Sequence, residues 1–121
     1  MTRGQQHLAD YLGHIRDDIE RIHQYTEDVD ELQFLNNTLI QDAVIRNFEV
    51  IGEASKSIEK HWPEFAASRP ELPLANAYQM RNALAHGYFK VDFEIVWRTI
   101  HQDLADLHTQ IVKAIGNLAV D

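Results

Sequence analysis

The chain contains no cysteine. That absence excludes disulfides, cysteine-ligated zinc and a thiol nucleophile, and it fits a reducing compartment such as the cytoplasm. Proline is scarce, and Pro63, Pro70 and Pro73 all fall in one short stretch. Proline, the strongest helix breaker, is therefore absent from the rest of the chain. No apolar run approaches the ~18 residues of a membrane span, so none is expected. The stretch from Met1 to His7 has no apolar core and does not read as a secretory signal. A glycine-rich phosphate loop and a Gly-x-Ser-x-Gly nucleophile elbow are both missing. Basic residues are also few: 11 Lys and Arg against 19 Asp and Glu, a net charge of −8. A protein holding nucleic acid through a broad electrostatic footprint would be basic. Any such role must rest on a local patch, and the acidic surface suits a basic protein partner equally well.

What is present is helical periodicity. At 121 residues the chain reads as one domain, residues 1–121, large enough for one core. Leu8, Leu12, Ile15, Ile19 and Ile22 alternate steps of four and three, which predicts an amphipathic helix over about 5–26. The acidic run Glu27 to Glu31 and the Asn36-Asn37-Thr38 stretch frame a connection, with Phe34 and Leu35 tucked against the core. Asn37 or Thr38 can cap a second helix reaching about Lys60, with Ile40, Val44, Phe48, Ile51 and Ile58 on its apolar face. Gly52 inside it suggests a close helix contact. The proline-bearing stretch has room for a short extra helix around 62–70. Pro73 opens a third helix, Leu74 to about Ala85, which Gly87 ends. Asp92 can cap a fourth, with Val96, Ile100, Leu104, Leu107 and Ile111 on one face, fading near Gly116. No segment shows sustained period-two alternation. The expected fold class is all-α, an up-and-down bundle of four main helices.

Residues 81–88, Arg-Asn-Ala-Leu-Ala-His-Gly-Tyr, concentrate the chemistry. Arg81 is a permanent cation suited to a phosphate, and His86 can give or take a proton near neutral pH. Five residues on a helix turn by about 140°, so Arg81 and His86 point apart on a straight one. Asn82 and His86 are four apart and can touch, which would fix the imidazole tautomer. Two arrangements bring Arg81 and His86 onto one phosphate. The helix loosens before Gly87, or two copies of the motif meet across a homodimer; the second is favoured. By spacing alone, all three side chains could simply finish a helix end.

The spacing Arg81-x4-His86-x-Tyr88 resembles the signature of the HEPN superfamily and, within it, of HepT-like toxin ribonucleases. A second block, Ala43-Val44-Ile45-Arg46-Asn47-Phe48-Glu49-Val50-Ile51-Gly52-Glu53-Ala54, resembles their second-helix signature. Met80, Val91-Asp92 and Val96-Trp97 extend the first block, and the two blocks stand in the right order. The resemblance implies a HEPN-like bundle, an RNA substrate and a homodimer with its active site near the two-fold axis. It also implies a cognate MNT-type nucleotidyltransferase antitoxin that transfers AMP to Tyr88. The reading is a metal-independent endoribonuclease needing no cofactor, with Arg81 and His86 catalytic and Asn82 supporting them. The alternative is a non-catalytic HEPN binding module that partners a nucleotidyltransferase; a third reading is a purely structural dimeric bundle.

Other constellations are weaker. Asp42, Arg46, Glu49, Glu53, Lys56 and Lys60 form one polar stripe, either a solvated face or the wall of a cleft. Arg46 and Glu53 are its candidates for supporting the site. Glu20-x-x-His23 has the spacing of a di-iron ligand pair, but such sites need a second copy and two further glutamates. His101 and His108 lie on one helix face without a third ligand, and a surface role is expected for both.

Overall fold

The computed structural model describes residues 2–72, 74, 77 and 91–120. Every regular element among them is an α-helix: α1 Arg3–Thr26, α2 Glu31–Leu35, α3 Thr38–His61, α4 Pro63–Ser68, α5 Phe93–His101 and α6 Asp103–Val120. Local chemistry starts most of them. Thr2 and Gln5 form a capping box at α1, and Asp30 and Gln33 form another at α2. Asn37 accepts the Ile40 amide at 3.0 Å to open α3. Pro63 occupies the first turn of α4, where its missing N–H is no loss. Asp92 accepts the amides of Glu94 and Ile95 to open α5.

α1 is the centre of the bundle, packed against α3 on one side and α6 on the other. Its stripe Leu8, Leu12, Ile15, Ile19 and Ile22 is buried throughout. Tyr11, early in α1, stacks near Trp62 at the end of α3 (5.6 Å between centroids), so these two helices run antiparallel. Glu20 meets His108 while His23, further along α1, meets Ile100. The C-terminal helices therefore run antiparallel to α1 as well. From α3 the core takes Val44, Phe48, Ile51 and Ile58, with Ile40 half-buried. Gly52 is buried too. Leu72 and Leu74 join the same core, and Leu74 and Ala77 are helical. No described helix is long and apolar enough to cross a membrane.

Three local expectations need correction. The connection after α1 contains the helix α2, whose Phe34 is fully buried and sits 6.0 Å from Phe93 and 5.3 Å from Trp97. The Asp30–Gln33 capping box is what makes so short a helix possible. Truncating Phe34 would leave a cavity costing about 3–5 kcal/mol. Second, the C-terminal helix is broken at Gln102, whose φ of −114° and ψ of −77° separate α5 from α6. Val96 and Ile100 before the break and Leu104 after it are all buried, so both helices keep their apolar faces in the core. Third, α6 runs past Gly116 to Val120, because Ala114 and Leu118 continue the buried stripe.

Candidate functional site

Arg81, Asn82, His86 and Tyr88 lie outside the described residues, and so does the expected helix from 78 to 85. The two described ends of that stretch are well anchored. On the near side, Leu74 is buried and Ala77 packs against the core. On the far side, Val91 and Phe93 pack against it as well, and the Phe93 ring meets Phe34 edge-on. Asp92 between them is committed to capping α5. The chain thus enters and leaves the motif from fixed positions on the bundle.

Of the two supporting candidates on α3, Arg46 is exposed, with 74% of its side chain open to solvent, and its Nη1 is 3.9 Å from Glu49 Oε2. That distance and exposure make a screened pair worth little to stability. It does place a cation beside Glu49, one turn before Glu53, offsetting the like charges there. Glu53 is exposed, as are Asp42, Lys56 and Lys60, while Glu49 is half-buried. Within the described residues the polar stripe of α3 therefore points away from the core formed with α1.

His23 of the di-iron-like spacing, and His101 and His108, make contacts within the bundle. His23 Nε2 lies 3.2 Å from the Ile100 carbonyl, in the last turn of α5, where carbonyls lack their full set of amide partners. Glu20 Oε1 accepts from His108 Nε2 at 3.1 Å. His101 Nδ1 lies 2.8 Å from the Trp97 carbonyl, its ring 4.2 Å from that indole. No cluster of three or more His, Asp or Glu suited to a metal ion occurs among the described residues.

Sequence reasoning missed Asp18. Among the described residues, four of the five buried polar ones, Thr26, Gln41, Asn47 and Ser55, hydrogen-bond a backbone carbonyl. Asp18 is the charged exception, 4% exposed. Arg21 Nη1 donates to its Oδ1 at 2.8 Å. Burial pushes the Asp18 carboxyl above its ordinary pKa, against the opposing hydrogen bond and charge of Arg21. The signal available in sequence was its place beside Ile15, Ile19 and Ile22 with Arg21 three residues on.

The family profile described as ribonuclease HepT-like matches residues 15–114. A Thermococcus cleftensis protein named "Probable ribonuclease HepT" is 38% identical over 104 residues, covering 86% of this chain and 92% of the relative. A Methanocaldococcus jannaschii protein described as a candidate RNase is 37% identical over 111 residues, 92% of this chain and 90% of the relative. A second protein of that organism, described as a gamma-glutamylcyclotransferase and candidate RNase, is 37% identical over 108 residues. That match takes in 89% of this chain and only 47% of the relative, so the chain spans about half of that longer protein. No solved structure matches the chain.

Proposed function

The chain belongs to the ribonuclease HepT-like family, and from that premise we propose that it is a metal-independent endoribonuclease, the toxin half of a toxin–antitoxin pair acting in the cytoplasm. The observation that carries the reading is the family match together with the intact Arg81-x4-His86-x-Tyr88 spacing. RNA brings its own nucleophile, the ribose 2′-hydroxyl. His86 takes the 2′-hydroxyl proton, and the 2′-oxygen attacks the adjacent phosphorus. The bond to the 5′-oxygen breaks, and that oxygen is protonated as it leaves. Arg81 binds the phosphate and stabilises the extra charge of the pentacoordinate transition state. Asn82 orients the imidazole, while Arg46 and Glu53 support the site from α3. A homodimer that brings two motifs together lets Arg81 of one copy serve His86 of the other.

Control falls to a cognate nucleotidyltransferase antitoxin. It transfers AMP from ATP to the Tyr88 phenol, releasing pyrophosphate and the phenolic proton. The net charge of −8 is what would favour the competing binding-module reading, since it weakens broad attraction for RNA. Cleavage of labelled RNA in chelator decides between the two. The expected products are a 2′,3′-cyclic phosphate, or its opened 3′-phosphate, and a 5′-hydroxyl. Arg81→Ala and His86→Ala each lower the rate by about 10²–10⁴-fold. A 2′-deoxy residue at the cut site blocks the reaction. Full cleavage of that deoxy substrate, or unchanged rates in both variants, refutes the mechanism.

A further inference from the structure

One flank of α1 stands out from an otherwise acidic protein. Arg3, His7, Tyr11, His14, Arg21 and Tyr25 fall within about 80° of one another around the helix. Arg3, His7, His14, Arg21 and Tyr25 are exposed and Tyr11 is half-buried. The opposite flank of α1 carries Glu20 and His23, which face α6 and α5. The basic and aromatic flank therefore lies along the seam with α3, where Tyr11 meets Trp62.

At that seam four rings follow one another without a gap. His14 lies edge-on to Tyr11 at 6.5 Å, Tyr11 is 5.6 Å from Trp62, and Trp62 is 6.0 Å from His61. His14 and His61 are exposed at the two ends, and Tyr11 and Trp62 are half-buried between them. Tyr11 and Trp62 rest on the core, which holds the outer rings of the series in place. Exposed Lys60 adjoins His61.

The acids near this flank leave its rings, more than its charge, as what distinguishes it. Asp18 shares the sector, is buried and is ion-paired with Arg21, so that cation is already partnered. Asp17 lies further around α1 and pairs with Arg16 at 3.0 Å. Asp10 is exposed, about 20° outside the sector, and accepts from neutral Gln6. On α3, Ala54 and Ser57, seven and four positions before His61, carry no charge, and Glu59 projects about 160° away from His61 around the helix.

We propose that this flank is a track for single-stranded RNA, with bases on the His14–Tyr11–Trp62–His61 rings and a phosphate at Arg3. It rests on the ribonuclease assignment and adds a substrate-binding surface to it. Stacking accounts for how a protein of net charge −8 holds RNA at all. A base stacked on an aromatic side chain is held through its π-face without any excess of positive charge. From Arg3 to Arg21 the flank is about 27 Å long at 1.5 Å per residue, room for several nucleotides. An anionic membrane is the poorer occupant, because α1 buries its apolar stripe inside the bundle and has no free apolar face to insert.

The test uses the full chain and a fluorescein-labelled, fully 2′-O-methylated oligouridylate of about twelve nucleotides, within single-strand site sizes and without the attacking hydroxyl. His14→Glu with His61→Glu weakens binding, read by anisotropy, by about tenfold. Lys113→Glu, an equal change in formal charge on an exposed α6 position, changes it by less than about twofold. Tyr11→Leu, which keeps apolar bulk, weakens it by about fivefold or more. With cleavable RNA the double variant raises KM and leaves kcat in place. Equal losses in the Lys113 variant, unaltered binding by the double variant, or preferential binding to phosphatidylserine vesicles overturns the track. So does a wild-type chain that cuts RNA without binding this probe. A chain that neither binds nor cuts RNA overturns the ribonuclease assignment along with it.

Discussion

Glu20 Oε1 and His108 Nε2 meet at 3.1 Å across the seam between α1 and α6. The residues are 88 positions apart in the chain, so the contact forms only when the C-terminal helix has docked. With side chains 30% and 56% exposed, the pair is partly screened. A double-mutant cycle with Glu20→Gln and His108→Ala is expected to give a coupling of about 0.2–1 kcal/mol. Urea denaturation at low and high salt checks it, and the coupling falls as salt rises. A coupling that ignores salt would mean a neutral hydrogen bond rather than an ion pair.

Asp18 makes stability depend on pH in the direction opposite to most paired carboxylates. Burial raises its pKa in the folded protein above the ordinary carboxylate value. As pH rises the unfolded chain ionises this group first. Its contribution to stability is therefore fully present below the unfolded pKa and is lost as pH climbs through the folded one. Asp18→Asn retains a carbonyl acceptor for Arg21 and removes the buried charge. It is expected to raise Tm by a few degrees near neutral pH, a gain that disappears in acid below the ordinary carboxylate pKa. Thermal melts across that range check it, and a variant less stable at neutral pH would show that the Arg21 ion pair outweighs burial.

Gly116 sits inside α6, and a methyl group added there meets nothing within 4 Å. Glycine in a helix interior is less favourable than alanine by about 0.5–1 kcal/mol. Gly116→Ala is expected to stabilise the protein by that amount, seen as a higher urea midpoint at unchanged slope. No gain would mean that a partner or a second copy occupies the space beside it.

The long helices were legible because pattern and cap agreed. The stripe from Leu8 to Ile22 and the Asn37 cap placed α1 and α3 within a residue or two of their observed limits. α2 escaped because five residues are too few to show a period, although Asp30 and Gln33 spelled its capping box. The break at Gln102 has no proline or glycine to announce it. The stripe from Val96 to Ile111 falls within about 80° of arc, as the stripe of unbroken α1 does, and gave no sign of it. Asp18 stands beside Ile15, Ile19 and Ile22 at the edge of the buried stripe, and only the folded structure shows how deep it lies. For the candidate site, the residue types Arg81, His86 and Tyr88 carry the proposed chemistry, and these residues lie outside the described ones. Spacing alone does not determine how such side chains would meet.

Tyr88 carries the regulatory prediction. It follows Gly87, which permits a sharp change of chain direction, and precedes by three residues the point where Val91 packs on the core. Each AMP attached to its phenol adds a phosphodiester with one negative charge and a bulky nucleoside next to His86. That phosphate competes with RNA for Arg81 at an effective concentration of roughly millimolar order for a short tether. Tyr88→Phe keeps the ring and loses the hydroxyl, so ribonuclease activity is expected to stay within a fewfold of wild type. The same variant is expected to escape silencing when co-expressed with the nucleotidyltransferase proposed as its antitoxin. Intact-mass spectrometry then shows AMP on the wild-type chain and none on Tyr88→Phe. Persistence of the added mass in the variant, or full cleavage by the modified wild type, would remove Tyr88 from this role.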